Sequence, residues 1–301
     1  MKNNMLTIIA GPCSVDQENI EDLYQIATLN DTAPVSIAGV RVVGVKSRTA
    51  YQTDGSGMGI DVAAIEKNAE ILRRGGSVAD FLPLPSVQIA KRFVQDTGLL
   101  VATEIVNPTL QLPSYAQVED FRDKLLIWNP AVNQLGWLLH ELGRYANEYG
   151  WQVGIKNGKW VGEDVSVAEA GEKEIPLEKV WSGLVSYTGL SSERMTLIHR
   201  GVDVPGKGNY RNVPVHGLAG RVKQATGARL LFDPSHVYGP KMRGSIVEET
   251  VKAMAMKLSE EEFLYDGMLI EVGRSKTDTE QHITVAELRE LVERVGEFRG
   301  L

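Results

Sequence analysis

The sequence predicts an α/β fold, a single (β/α)8 barrel of the TIM type over residues 1–301, on three observations. Short runs dense in Val, Ile and Leu recur along the chain without strict alternation, as parallel strands buried on both faces require. Helical periodicities lie between them, and that alternation favours one parallel α/β domain. Several of the runs end on a residue able to do chemistry. A parallel barrel gathers the C-terminal ends of its strands at one rim, so residues scattered along the chain would converge there.

The strands are expected at about 6–11, 40–46, 99–105, 124–129, 152–157, 194–200, 228–233 and 267–272. The first runs into Gly11-Pro12-Cys13-Ser14, the second into Lys46, the third into Glu104 and the fifth into Lys156. The sixth ends at His199-Arg200, the seventh at Asp233-Pro234-Ser235-His236 and the eighth at Glu271. Between strands, Ile65, Ala69 and Leu72 form an apolar stripe over 61–74, stopped by Gly75-Gly76. Further helices are expected at 135–149, 247–258 and 285–298. Two connections exceed the minimal unit. Residues 50–98 hold a Gly-rich loop and two helix-sized segments, and 158–193 hold an acidic loop; lids and plain surface decoration are both open readings for such loops.

Composition narrows the function classes. Hydrophobic content of 43% and charged content of 24% are ordinary for a globular protein. No apolar run approaches the ~20 residues that span a bilayer, and the N-terminus lacks a signal-peptide pattern. The expected compartment is the cytoplasm, with no membrane partner. A net charge of −7 argues against a nucleic-acid partner, yet a few focused cations can still attract a small anion. The only cysteine, Cys13, excludes an intrachain disulfide. A homo-oligomer is expected.

Two constellations carry the chemistry. Cys13, His236, Glu271 and Asp278 offer S, N, O and O donors from strands one, seven and eight, which are neighbours in a closed barrel. That mixed set suits a catalytic divalent ion such as Mn, Fe, Co or Zn. Taken singly, His236 reads as a loop histidine and Glu271 as an ion-pair partner. The second set is cationic: Arg41, Lys46, Arg48, Lys156 and Arg200. Arginine grips phosphate or carboxylate in bidentate fashion and lysine acts as a point charge, so the rim implies a substrate with several negative charges. Some of these cations are expected to pair with Glu104 or Asp233. Arg41 and Lys46, five apart, start on opposite faces of a strand. They share a site only if that strand is kinked or bulged at Gly44.

Together, Ile9-Ala10-Gly11-Pro12-Cys13-Ser14-Val15, Lys46-Ser47-Arg48-Thr49, Ile155-Lys156-Asn157-Gly158, Asp233-Pro234-Ser235-His236 and Ile270-Glu271-Val272 resemble the DAHP synthases (3-deoxy-D-arabino-heptulosonate 7-phosphate synthases), relatives of the 3-deoxy-octulosonate 8-phosphate synthases. The motifs occur in that family's order over most of the chain. The resemblance implies a (β/α)8 barrel and metal ligation by Cys13, His236, Glu271 and Asp278. It implies phosphoenolpyruvate contacts from Arg41, Lys46, Lys156 and Arg200, and aldose-phosphate contacts from Arg48 and Thr49. Lys46, Glu104 and His236 are the implied catalytic residues, Glu104 either orienting a water or serving as an ion-pair partner. The implied reaction is condensation of phosphoenolpyruvate with an aldose phosphate, erythrose 4-phosphate by the Lys-x-Arg-Thr pattern, releasing phosphate. That is the first step of the shikimate route to aromatic amino acids.

The fourth strand departs from the family. Where members carry Ile-Gly-Ala-Arg, this chain reads Ile127-Trp128-Asn129-Pro130. Proline offers neither charge nor donor. Losing such a buried phosphate contact costs ~2–5 kcal/mol by analogy with truncated charge pairs. Lys156 is the expected substitute, with Lys159 or Lys124 assisting only if their loops fold inward. Ser47, His199 and Gly273 are smaller departures. The alternatives are a synthase acting on another aldose and a non-catalytic barrel that binds a sugar phosphate.

Overall fold

The computed structural model describes residues 6–32, 36–46, 58–275 and 280–299. Among them, eight strands form: β1 (Thr7–Gly11), β2 (Ile37–Arg41), β3 (Leu100–Glu104), β4 (Leu125–Trp128), β5 (Gln152–Lys156), β6 (Met195–His199), β7 (Arg229–Phe232) and β8 (Gly267–Glu271). Each pairs in parallel with the next, and β8 closes on β1. The expected closed barrel is the observed one.

The helices are α1 (Ile20–Ala27), α2 (Val62–Arg73), α3 (Pro85–Thr97), α4 (Pro108–Ala116), α5 (Gly136–Tyr149), α6 (Val165–Ala170), α7 (Pro176–Tyr187), α8 (His216–Thr226), α9 (Pro234–Tyr238), α10 (Ile246–Ala255) and α11 (Val285–Arg299). Their starts and stops follow local chemistry. Pro occupies the first turn of α3, α4 and α7, where a missing N–H costs nothing. Left-handed glycines 98, 150 and 227 end α3, α5 and α8. At α11, Thr284 and Glu287 exchange hydrogen bonds in a capping box. None of the described helices is long and apolar enough to cross a membrane.

The period of two along each strand sorts side chains into two cores. Ile8, Val40, Val101, Ile127, Ile155, Leu197, Leu230 and Ile270 face the helices in the larger cluster. Ile9, Ala102, Leu126, Trp128, Ile198, Leu231 and Leu269 fill the barrel interior. Trp128 is fully buried in this inner layer. Gly154 makes room for it, because a Cβ there would lie 2.9 Å from the Cβ of Trp128.

One expected strand moves. β2 ends at Arg41, three residues before Gly44, so the apolar residues Val42, Val43 and Val45 are buried loop, not strand. The loop is shaped by close approach. A Cβ on Gly44 would sit 1.9 Å from Asp61 Oδ2, while the Gly44 carbonyl accepts the Asp61 N–H at 2.9 Å. Asp61 in turn accepts from Ser86 N–H and Oγ at 2.8 and 2.5 Å. The period-two argument about Arg41 and Lys46 therefore lapses, since the pleat stops at Arg41. Arg41 and Lys46 do not share a site: Lys46 lines the strand-end cavity and Arg41 does not.

Candidate active site

A cavity of about 200 Å³ opens at the C-terminal ends of the strands. Its lining includes Lys46 from the β2 loop, Glu104 closing β3, Pro130 after β4, Lys156 closing β5, Arg200 after β6 and His236 in α9. Five of the expected site residues thus meet in one space.

Two asparagines set the rim by the same device. Asn129, just past β4, accepts the Lys156 N–H at 2.8 Å and donates to the Lys156 carbonyl at 3.2 Å. Asn157, just past β5, accepts the Arg200 N–H at 2.8 Å and donates to the Gly201 carbonyl at 3.0 Å. Each buried amide clamps the next strand's end, which fixes where the cation begins.

Asp233 organises one side. It lies 3.0 Å from Lys156 Nζ and 2.9 Å from His236 Nδ1. Its carboxyl is held well below the usual range: burial alone would raise it, but His236 and Lys156 overcome that. Burial pushes His236 down to about 4 against the pull of Asp233, so its imidazole is neutral near neutral pH. Burial also lowers Lys156, partly offset by Asp233 and Glu104. Across the cavity, Lys46 Nζ lies 3.3 Å from Glu104 Oε2. Lys46 is raised despite burial, through Cys13, Glu104 and Glu271. Glu104 is lowered despite burial, through Lys46, Lys156 and His236. The expected pairing of rim cations with Glu104 and Asp233 is present.

Arg41 is fully buried below the cavity, outside its lining. Its Nη2 lies 3.2 Å from Glu271 Oε1, and its guanidinium carbon is 5.9 Å from the Trp128 ring centre. Lys156 Nζ approaches the same ring at 5.7 Å. Trp128 therefore presents its ring to two cations, a contact that partly compensates their desolvation. Glu271 Oε2 accepts from Gln281 at 2.7 Å, and Gln281 accepts from Arg211.

Cys13 and Glu271 are buried at the ends of the adjacent strands β1 and β8, where Gly11 and Glu271 are in register. Ser235, next to His236, accepts the Glu271 N–H at 2.9 Å. Thus three expected metal donors occupy neighbouring elements. Among the described residues, however, no three His, Cys, Asp or Glu side chains are disposed to hold a metal ion. Asp278, Arg48 and Thr49 lie outside the described residues. Lys124 is removed from the site: its Nζ donates to the Gly98 carbonyl at 2.6 Å, ahead of β3. Lys159 does line the cavity.

Sequence reasoning overlooked Asp203, Lys207, Arg211 and Asn212, all on the cavity wall. They belong to the connection between β6 and α8, which an antiparallel bridge between Val202 and Val213 closes into a loop. Its length and its glycines 201, 206 and 208 were the available signal. It is a third long strand-to-helix loop, beside the two that the sequence flagged.

No family model and no curated protein matches the sequence. Solved structures do match in fold. A phospho-2-dehydro-3-deoxyheptonate aldolase (DAHP synthase) from Thermotoga maritima aligns with a TM-score of 0.68 at 20% identity, over 99% of this chain and 70% of that one. A truncated 3-deoxy-D-arabino-heptulosonate 7-phosphate synthase from the same organism aligns at 0.66 and 21%, over 99% and 88%. The barrel is thus built like theirs.

Proposed function

We propose that the barrel is an aldol-type synthase that joins phosphoenolpyruvate to an aldose phosphate, erythrose 4-phosphate first among them, and releases phosphate. The observation that carries this reading is the strand-end cavity in which Lys46, Lys156 and Arg200 meet Glu104 and His236. Similarity of fold to DAHP synthases supports it. In the reaction, carbon 3 of phosphoenolpyruvate forms a bond to the aldehyde carbon. Water adds at carbon 2, and the bond from carbon 2 to the phosphate oxygen breaks.

Lys46 stays protonated beside Glu104, as an ammonium able to bind the carboxylate of phosphoenolpyruvate. Glu104 stays ionised, as an acceptor that can orient the attacking water. Asp233 holds Lys156 and His236 in place. Lys156 and Arg200 face the phosphate, and Arg48 and Thr49 are assigned to the aldose phosphate.

The donor types at the ends of β1, β7 and β8 suit a divalent ion (Mn, Fe, Co or Zn), although the side chains of Cys13, His236 and Glu271 are not disposed around one point in this structure. Cys13, His236 and Glu271 would hold it, with Asp278 as the fourth donor. The contact between His236 and Asp233 is the carboxylate–histidine pairing that orients a ligating imidazole. When bound, such an ion polarises the aldehyde as a Lewis acid. The proposed setting is a cytoplasmic homo-oligomer at the entry to aromatic amino acid synthesis.

The deciding experiment is a thiobarbiturate-type product assay with phosphoenolpyruvate and four- and five-carbon aldose phosphates, with and without chelator. Product with the four-carbon sugar, lost on chelation, is expected. Product only with a five-carbon sugar would move the reading to a related synthase. No product from metal-loaded protein that still binds phosphoenolpyruvate would favour a non-catalytic barrel, the reading to which Pro130 on the cavity wall points.

A further inference from the structure

Trp128, the last residue of β4, stands where the DAHP synthase pattern Ile-Gly-Ala-Arg carries glycine. It is in register with Glu104 on β3 and Gly154 on β5, and its side chain enters the barrel interior. Small neighbours make room for the indole. Ala102 packs in the same inner cluster, and a Cβ on Gly154 would lie 2.8 Å from Ile198 Cδ1 and 2.9 Å from Trp128 Cβ. Lys156 is two residues beyond Gly154, so it shares that face one layer nearer the cavity. Lys156 lines the cavity and Trp128 does not.

The ring does more than fill volume. Its centre is 5.7 Å from Lys156 Nζ and 5.9 Å from the Arg41 guanidinium carbon. Each cation also has a carboxylate, Asp233 for Lys156 and Glu271 for Arg41. Asp233 is divided, since His236 Nδ1 lies 2.9 Å from it. Trp128 is fully buried, yet its Nε1 has no hydrogen-bond partner among the described residues. A buried indole usually finds a partner for that N–H, and a leucine or phenylalanine would fill space without the loss. What tryptophan adds is the aromatic face most attractive to a cation, and desolvation strengthens that attraction. A further carboxylate here would also hold the ammonium, but it would cancel the charge. An uncharged ring holds the ammonium and leaves its charge to an arriving anion.

We propose that Trp128 is a positioning residue for Lys156: its ring braces the ammonium from below and keeps it turned into the strand-end cavity. Strand four brings Pro130 and no arginine to the cavity wall; its contribution is the ring under the lysine that replaces that charge. The inference deepens the function proposed above and rests on it only for naming phosphoenolpyruvate as the anion.

The test places mono-, di- and trifluorotryptophan at position 128 alone, by suppression of a stop codon. Fluorine drains the face of the ring while barely changing its volume, so folding is preserved and packing alone predicts no trend. Urea denaturation is measured with Lys156 present and in Lys156→Met, and the wild-type series is titrated calorimetrically with inorganic phosphate and phosphoenolpyruvate. The unfolding equilibrium constant is expected to rise stepwise with fluorine number, with the slope at least halved in Lys156→Met; Arg41 accounts for the remainder. Both anions are expected to weaken stepwise, at least fivefold by the trifluoro ring. Equal slopes in the two backgrounds, or none, would overturn the contact with Lys156. Anion affinities that stay flat across the series would overturn the positioning role. Affinities that follow the series, in a protein that condenses no aldose phosphate, would uphold the role of Trp128 and end the synthase reading. A wild type that binds neither anion would overturn both.

Discussion

At the scale of single residues, the site depends on a few buried charges whose partners are singular. Asp233 faces both Lys156 and His236 and is itself fully buried. Asp233→Asn keeps the shape but leaves a buried ammonium without its counter-charge, and breaking such a pair typically costs about 3–5 kcal/mol. Urea denaturation should show that loss, and phosphoenolpyruvate use should fall with it. Cys13 contributes differently. If it is a metal donor, Cys13→Ala should lower bound metal well below one equivalent by elemental analysis, with little change in helix content by circular dichroism. A variant retaining full metal would remove Cys13 from the donor set. Lys46, Lys156 and Arg200 were legible as site residues because each follows an apolar run. Lys207 and Arg211 were not, because they sit in a loop with no period to mark them.

At the scale of elements, α11 is tied down by charge as well as by packing. Glu287 closes its capping box with Thr284 and takes both nitrogens of Arg243 at 2.8 and 2.6 Å. The Arg243 hydrogen bond, against a smaller cost of burial, lowers Glu287 from 4.5 to about 2. A depressed carboxyl stabilises the fold above its unfolded value and loses that contribution as pH falls towards its folded value. Glu287→Gln should therefore cost stability at pH 7, about 1 kcal/mol after allowing for solvent screening. The gap to wild type should narrow between pH 4.5 and 2, which denaturant titrations across that range would measure. Element boundaries show a matching limit to sequence reading. Val42, Val43 and Val45 are apolar because they are buried, and burial alone does not tell a strand from a packed loop.

At the scale of the whole molecule, a buried polar chain joins β6, α8 and the segment before β8. The Val215 N–H donates to His199 Nε2 at 3.3 Å, so the His199 proton is on Nδ1. His199 Nδ1 then donates to Tyr265 Oη at 2.7 Å, and the Tyr265 hydroxyl donates in turn to His216 Nδ1 at 2.6 Å. Both imidazoles are neutral in this arrangement, and burial holds His199 well below its usual value and His216 at about 4. The unfolded chain protonates them near 6.5 while the folded one does not. Stability from this chain is complete above pH 6.5 and declines as pH falls towards 4. Thermal melts between pH 7 and 4 should show the decline, and His216→Asn should flatten it. An equal slope in that variant would place the acid sensitivity elsewhere.

The sequence by itself determined the barrel, most strand positions and the inner half of the site. These follow from local patterns: apolar runs, their spacing, and the polar residue that ends each run. Tertiary structure alone decided the rest. It set where β2 stops, since the close approach of Gly44 to Asp61 involves a segment seventeen residues away. It brought the 203–212 loop to the cavity through hydrogen bonds to α9, and it seated Trp128 within reach of two cations because Gly154 leaves space on the next strand. In each case the deciding contact joins residues distant along the chain, and no local period encodes it.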